Sequence, residues 1–237
     1  MNLILLFQTD FIATDTVVIN DRRFHHIKQF YQPVEGQQLK VGLLNGDIGQ
    51  GTVITLAEQS ITLQIKLDKQ TPSPLPLTLI LALPRPKMLK RTLQTVTSMG
   101  VKQIYLINSY RVDKSYWSSP VLHEQYLTEQ LLLGLEQAGD TLLPEIHLRK
   151  RFKPFVEDEL PELAQPTRAL VAHPYDATTC PAAETIDTTL AIGPEGGFIP
   201  YEVEKLQSAG FTAIHIGPRI LRVENAVPVL LSRLFPV

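Results

Sequence analysis

The segment Thr71-Pro-Ser-Pro-Leu-Pro76 constrains the fold of this 237-residue chain more than any other feature. Three prolines in five residues fix φ and lack amide protons. Neither a sheet nor a helix interior can take them, so the segment reads as a stiff connector. Ahead of it lie short strand-like runs. Residues 39–44 are apolar and are followed by Asn45-Gly46-Asp47, a hairpin turn signal. Residues 51–56 and 60–67 alternate and are rich in β-branched side chains. This pattern predicts a small β-barrel over 1–71, near the lower size limit for independent stability.

Past the connector the pattern changes to alternation of strand and helix. Apolar runs predict strands at 77–83, 101–107, 169–172, 188–192 and 211–216. Helical spacing predicts helices at 87–99, 122–137, 200–209 and 224–234. The helix at 200 has Pro200 in its first turn, Glu202 and Glu204 early, and Gly210 just past its end. Such alternation implies an α/β domain over 72–237, with a mostly parallel sheet covered on both faces.

Composition bounds the function classes. Apolar residues make up 44% and charged residues 19%, enough to bury a core and unlike a disordered chain. Net charge is −2, but it is unevenly spread. From Pro84 to Lys114 there are seven Lys or Arg against Asp113, and from Pro154 to Glu204 ten acids against Arg168. The basic stretch is either a face that meets an anion or an ordinary set of solvated helix faces. One cysteine, Cys180, rules out an intrachain disulfide and fits a reducing cytoplasm. The opening MNLILLFQTD reads as a first strand rather than a secretory signal. No apolar run is long enough to span a bilayer, so no membrane partner is expected.

Two predicted strands end alike, in Ile192-Gly-Pro-Glu-Gly-Gly197 and Ile216-Gly-Pro-Arg-Ile-Leu-Arg222. In open α/β sheets, ligands sit at the carboxyl ends of strands. Glycines there let backbone approach a ligand closely, although a tight turn uses them equally well. A phosphate cradle is disfavoured. The P-loop ending and the G-x-G-x-x-G spacing are both missing, and Glu195 among the glycines would repel an anion. A neutral or cationic ligand fits better.

The run IGPEGGFIPYEVEKLQSAGF, followed by IHIGPRILRVENAV, resembles the signature of the bacterial 16S rRNA uridine-N3 methyltransferases of the SPOUT superfamily. RRFHHI near the start, LALPRPK at the head of the second domain and LEQAGDTLLPEI at 135–146 resemble further segments of that family. The resemblance implies a PUA-like β-barrel at 1–71 that binds RNA, and a SPOUT methyltransferase domain at 72–237 with a deep trefoil knot. It implies a homodimer, small-subunit ribosomal RNA as partner, and S-adenosyl-L-methionine as cofactor. That cofactor would lie in three loops: Ala172 and His173; Gly193, Pro194, Glu195, Gly196 and Gly197; and Ile216, Gly217, Ile220, Leu221 and Arg222. A packed, purely structural histidine remains the other reading of His173.

Methylation at uridine N3 requires loss of a weakly acidic proton. Arg222 would stabilise the resulting anion or hold a phosphate. Glu224 would act as base or orient Arg222, and a simple helix-start ion pair is the structural alternative. Candidate RNA contacts are Arg22 and Arg23 on the barrel, with Arg85, Lys87, Lys90, Arg91 and Arg111 on the second domain. Adjacent His25 and His26, read as strand residues, point opposite ways and lack companion ligands, so no metal is expected. Cys180 has no plausible partner.

Several positions depart from the family pattern: Gln32, Thr95, Ser98, Asp140, Asn225, and Pro228, which removes a helix hydrogen bond and kinks the last helix or delays its start. They leave the cofactor loops intact but remove positive charge. Two alternatives therefore stand beside the uridine-N3 reading: methylation of a different RNA site, and a non-catalytic RNA- or ribosome-binding protein that retains the cofactor fold.

Overall fold

The computed structural model describes residues 2–236, which form two compact units. The first takes the chain up to Ser73 together with Leu132–Leu143; the second takes Pro74–Leu131 and Pro144 onward. Among the described residues no helix is long and apolar enough to cross a membrane.

The first unit holds β1 (Ile4–Leu6), β2 (Phe11–Ala13), β3 (Thr16–Ile19), α1 (Arg22–Phe30), β4 (Gln38–Leu43), β5 (Ile48–Leu56) and β6 (Ile61–Lys69). The sheet order is β1-β4-β5-β6-β3-β2; only the β1–β4 pairing is parallel. Asn45, at φ 59°, turns the chain between β4 and β5 where the Asn-Gly-Asp signal stood. Period-2 alternation puts Leu39, Val41, Val53, Ile61, Leu63 and Ile65 into one core. A second cluster joins Leu3, Leu5 and Ile48 to Leu135 from the helical stretch that belongs to this unit.

α1 corrects the expectation of strands alone. Asp21 caps it, its Oδ1 accepting from the Arg23 amide at 2.8 Å. Phe24 and Ile27, three residues apart, bury one face in the core. His25 and His26 are thus helix neighbours rather than opposite strand faces, and His26 packs its ring on Phe30. Asp140 is 4% exposed, and its Oδ1 accepts from the Thr71 hydroxyl at 3.0 Å and the Leu142 amide at 2.9 Å. An aspartate there caps a turn inside the unit; it is not a lost surface cation.

The second unit holds β7 (Leu77–Ala82), α2 (Pro86–Ser98), β8 (Gln103–Ile107), the first half of α3 (Glu124–Ala138), β9 (Glu145–Arg149), α4 (Phe152–Pro154), a π turn (Phe155–Glu159), α5 (Leu160–Ala164), β10 (Arg168–Ala172), β11 (Thr178–Thr179), β12 (Thr188–Ile192), α6 (Pro200–Ser208), β13 (Thr212–His215) and α7 (Val223–Leu234). All seven strands are parallel, in the order β11-β13-β10-β12-β7-β8-β9. Central β12 and β7 are buried on both faces, which is why their sequences read as continuous runs. β9, the helical stretch 152–164 and β11 stand outside the elements expected from the sequence. α7 begins at Val223 with Pro228 inside it, so the proline does not delay the start; it removes the amide that the Glu224 carbonyl would otherwise accept from.

Candidate active site

Three neighbouring strands end together. β10 pairs in parallel with β12 and with β13, and Ala172 stands opposite both Ile192 and Ile214. The loops leaving these ends therefore meet, and they wall a cavity of about 760 Å³ in the second unit. It lies at the carboxyl ends of parallel strands, where backbone amides and carbonyls are free to face a ligand.

The cavity wall contains Ala172, His173, Gly193, Pro194, Glu195, Gly196, Gly197, Ile216, Gly217, Ile220 and Leu221. Arg222 and Glu224 stand just outside it, flanking the wall residue Val223. Arg222 is the exposed N-cap residue of α7, and its carbonyl accepts from the Asn225 and Ala226 amides at 2.9 and 2.8 Å. Tyr175, Phe198, His215 and Leu230, not among the expected site residues, also line the cavity, and Arg111, expected only as an RNA contact, forms part of the wall. The signal for some of these was available. His215 ends a parallel strand, and Val223, Ala226 and Leu230 recur at helical spacing on α7.

The glycine loop is shaped by close packing. A Cβ on Gly193 would lie 2.9 Å from the Phe198 amide nitrogen, so the loop closes back on its own backbone there. Gly197 sits at φ 72°, which strains any side-chain-bearing residue. Behind the loop, Glu202 in the first turn of α6 is 2% exposed. Its Oε2 accepts from the Ile199 amide at 3.1 Å and its Oε1 from the Tyr110 amide at 2.7 Å. One buried carboxylate thus ties the start of α6 to the loop after β8.

Charges around the cavity are local. Arg85 Nε donates to Glu195 Oε1 at 2.6 Å, with both side chains about half exposed. Burial pushes the His173 imidazole below the ordinary histidine range, against the opposing pull of Asp176, so the ring is neutral near neutral pH. The Tyr175 ring meets His173 edge-on at 5.8 Å. His215 Nδ1 accepts from the Gly217 amide at 3.2 Å, which places any ring proton of the neutral form on Nε2. Among the described residues no group of three His, Cys, Asp or Glu could hold a metal ion.

The candidate RNA-binding cations fall into two sets. Lys87, Lys90 and Arg91 are exposed on α2. The others are engaged within the protein. Arg22 makes a two-pronged pair with Glu136 at 3.0 and 2.7 Å, Arg85 pairs with Glu195, and an Arg111 Nη1 hydrogen donates to the Gly196 carbonyl. Arg23 is a correction. At 3% exposure its guanidinium donates to Asp10, Asp21 and the Leu5 carbonyl at 2.7–2.8 Å, so it serves the interior of the first unit rather than its surface.

The model of the family described as an RNA methyltransferase domain matches residues 71–235. The ribosomal RNA small subunit methyltransferase E of Treponema pallidum (strain Nichols) is 30% identical over 232 residues, which are 95% of this chain and 87% of the relative. The ribosomal RNA small subunit methyltransferase E 1 of Borreliella burgdorferi is 22% identical over 95% of this chain and 94% of the relative. In three dimensions the chain is similar to a ribosomal RNA small subunit methyltransferase E from Neisseria gonorrhoeae bound to S-adenosyl methionine. That likeness has a TM-score of 0.75 over 97% of this chain and 95% of the other; at 19% identity it speaks for the fold. Matched across its second unit by the family model and along nearly its whole length by a 30% identical relative, the chain belongs to the RNA methyltransferase family that includes the ribosomal RNA small subunit methyltransferases E.

Proposed function

We propose that this protein is an S-adenosylmethionine-dependent methyltransferase that modifies N3 of a uridine in small-subunit ribosomal RNA, and that it works in the cytoplasm as a homodimer. The observation that carries the reading is the cavity where the β10, β12 and β13 loops converge, in a chain of this family. Its donor set suits the cofactor. Ile216, Ile220, Leu221 and Phe198 offer an apolar bed for an adenine, and the glycine loop offers backbone groups for its polar edge. When bound, the cofactor supplies an electrophilic methyl group on a sulfonium. Most of the help with such an in-line displacement is positioning. Arg222, beside the wall residues Leu221 and Val223, would stabilise the uridine anion, and Glu224 would accept the N3 proton or orient Arg222.

The first unit, with its helix-packed six-stranded sheet, would be the PUA-like RNA-binding barrel. By the family resemblance, the second unit would thread its chain into a trefoil knot, an exception to the usual unthreaded path. Ile220 at 71% and Leu221 at 37% exposure border the cavity and suit cover by a second copy. Four of the seven candidate RNA cations are held in intramolecular contacts (Arg22, Arg23, Arg85 and Arg111), which leaves Lys87, Lys90 and Arg91 on α2 to meet RNA; methylation of a different RNA site is the second reading.

Nucleoside mapping by mass spectrometry of ribosomal RNA from cells with and without the protein tests the reaction. Loss of N3-methyluridine is expected on deletion; persistence of that mark with loss of another moves the substrate to the second reading. S-adenosylhomocysteine should raise the melting temperature, since ligand at 100 times its Kd adds about 2.7 kcal/mol to folding. No shift at saturation sinks the cofactor assignment. Arg222→Ala is expected to lower kcat about 100-fold with little change in stability, because the side chain is exposed. Equal loss of activity and stability would make Arg222 a structural helix-start residue.

A further inference from the structure

We propose that Arg111 is a positioning residue for the cofactor loop, and that position 196 is a glycine in order to admit Arg111 rather than the cofactor. The proposal rests on the cofactor reading above.

The three glycines of the loop differ in what surrounds them. Gly193 is pressed against backbone and Gly197 holds a left-handed conformation. Gly196 has neither constraint. A Cβ built on it would meet Arg111 Cδ at 2.9 Å, Arg111 Cβ at 3.5 Å and Arg111 Cγ at 3.7 Å, and these are its three nearest neighbours. The arginine stem therefore lies along the open face of Gly196, and its Nη1 donates to the Gly196 carbonyl. The strap is fixed at its root. The adjoining Tyr110 amide is held by the buried carboxylate of Glu202, which also holds the Ile199 amide just beyond the glycine loop. Arg111 thus fastens the middle of the loop to a point that Glu202 has already joined to the loop's far end.

A rigid loop binds a ligand more tightly than one that must be ordered on binding. The strap is made of a charge-assisted hydrogen bond and a methylene stem packed on a bare α-carbon. Both parts fail when Arg111 becomes alanine. An alanine at 196 pushes the stem aside, and it does so only while the stem is there. The two substitutions therefore act on one element and are expected to be non-additive.

The experiment is a double-mutant cycle read by calorimetric titration of S-adenosylhomocysteine into wild type, Arg111→Ala, Gly196→Ala and the double variant. Each single variant is expected to weaken affinity roughly ten-fold, the scale of one charged hydrogen bond discounted for exposure. The double variant is expected to be no weaker than Arg111→Ala. If Gly196→Ala costs its full factor again in the Arg111→Ala background, the glycine serves the ligand and the proposal falls. Arg111→Lys keeps the methylene stem and a cationic donor, and is expected to bind S-adenosylhomocysteine more tightly than Arg111→Ala. Binding of a 16S RNA fragment supplies the other readout. Unchanged RNA affinity in Arg111→Ala is expected; lost RNA affinity with intact S-adenosylhomocysteine binding would make Arg111 a phosphate contact and overturn the proposal. In kinetics the KM for the methyl donor rises while kcat at saturation holds. Failure of wild type to bind S-adenosylhomocysteine at all would sink the cofactor reading and this proposal together, whereas tight wild-type binding with an additive cycle would sink this proposal alone.

Discussion

Arg23→Ala is expected to destabilise the protein by about 3–5 kcal/mol, measured by chemical denaturation, the usual cost of removing one member of a buried ion pair. Arg23 is 3% exposed and Asp10 9%, and the guanidinium also donates to the Leu5 carbonyl and lies over the Phe7 ring at 4.5 Å. Truncation strands the Asp10 carboxylate and leaves that carbonyl without its donor. Burial works against the charge on Arg23, but Asp10 and Asp21 outweigh it, and the guanidinium holds its proton above the ordinary arginine range. A raised folded pKa contributes stability that is lost only as pH rises through it, far beyond any working pH. Asp21 behaves in the opposite way. Burial raises its pKa, yet the hydrogen bonds from Arg23 win and hold it below the ordinary carboxylate range. Its contribution is present above the unfolded pKa and disappears as pH falls through the lower folded value. Wild type should therefore lose stability below about pH 4 through this group, and Arg23→Ala should show a shallower acid limb. A loss under 1 kcal/mol with an unchanged acid limb would show that the cluster does not hold the first unit together.

Glu202→Ala is expected to cost about 2–4 kcal/mol in the same measurement and to weaken S-adenosylhomocysteine binding as well. The side chain is 2% exposed and serves two backbone amides, Ile199 and Tyr110. An unsatisfied buried donor costs about 1–3 kcal/mol. The two amides belong to different loops, so the loss reaches the cavity by releasing the root of Arg111. Glu202→Gln, with one oxygen and one nitrogen in place of two oxygens, should fall between wild type and alanine. Wild-type affinity in Glu202→Ala, with the stability loss intact, would confine Glu202 to packing.

Much of the second unit was legible in the sequence because its cues are local. Buried parallel strands write themselves as apolar runs, and proline and glycine mark helix ends: β12 spans Thr188–Ile192 and α6 spans Pro200–Ser208, close to the expected bounds. α1 lies inside a β-rich region that masks its signals, Asp21 as cap and the helical spacing of Phe24 and Ile27. The residues of 152–164 gave no clear period because α4 and α5 are joined by a π turn, which breaks the 3.6-residue repeat. The loops that wall the cavity were legible because glycines at strand ends mark close backbone approach. What those glycines approach was not, since Gly193 meets Phe198 and Gly196 meets Arg111, and Arg111 lies 85 residues away in sequence.

The sequence by itself determined the alternation of elements, the break at the proline-rich connector, the placing of a cavity at the two glycine-containing strand ends, and the family resemblance. Each of these depends on a residue and its near neighbours. The tertiary structure alone decided that Leu132–Leu143 packs with the first unit, that Arg23 is buried between carboxylates, and that Glu202 and Arg111 brace the loop that carries the glycines. Those outcomes depend on which charge finds which partner across the fold. A charged residue reads the same in sequence whether it meets water or a carboxylate, and only burial, by making an unpaired charge or amide costly, decides between them.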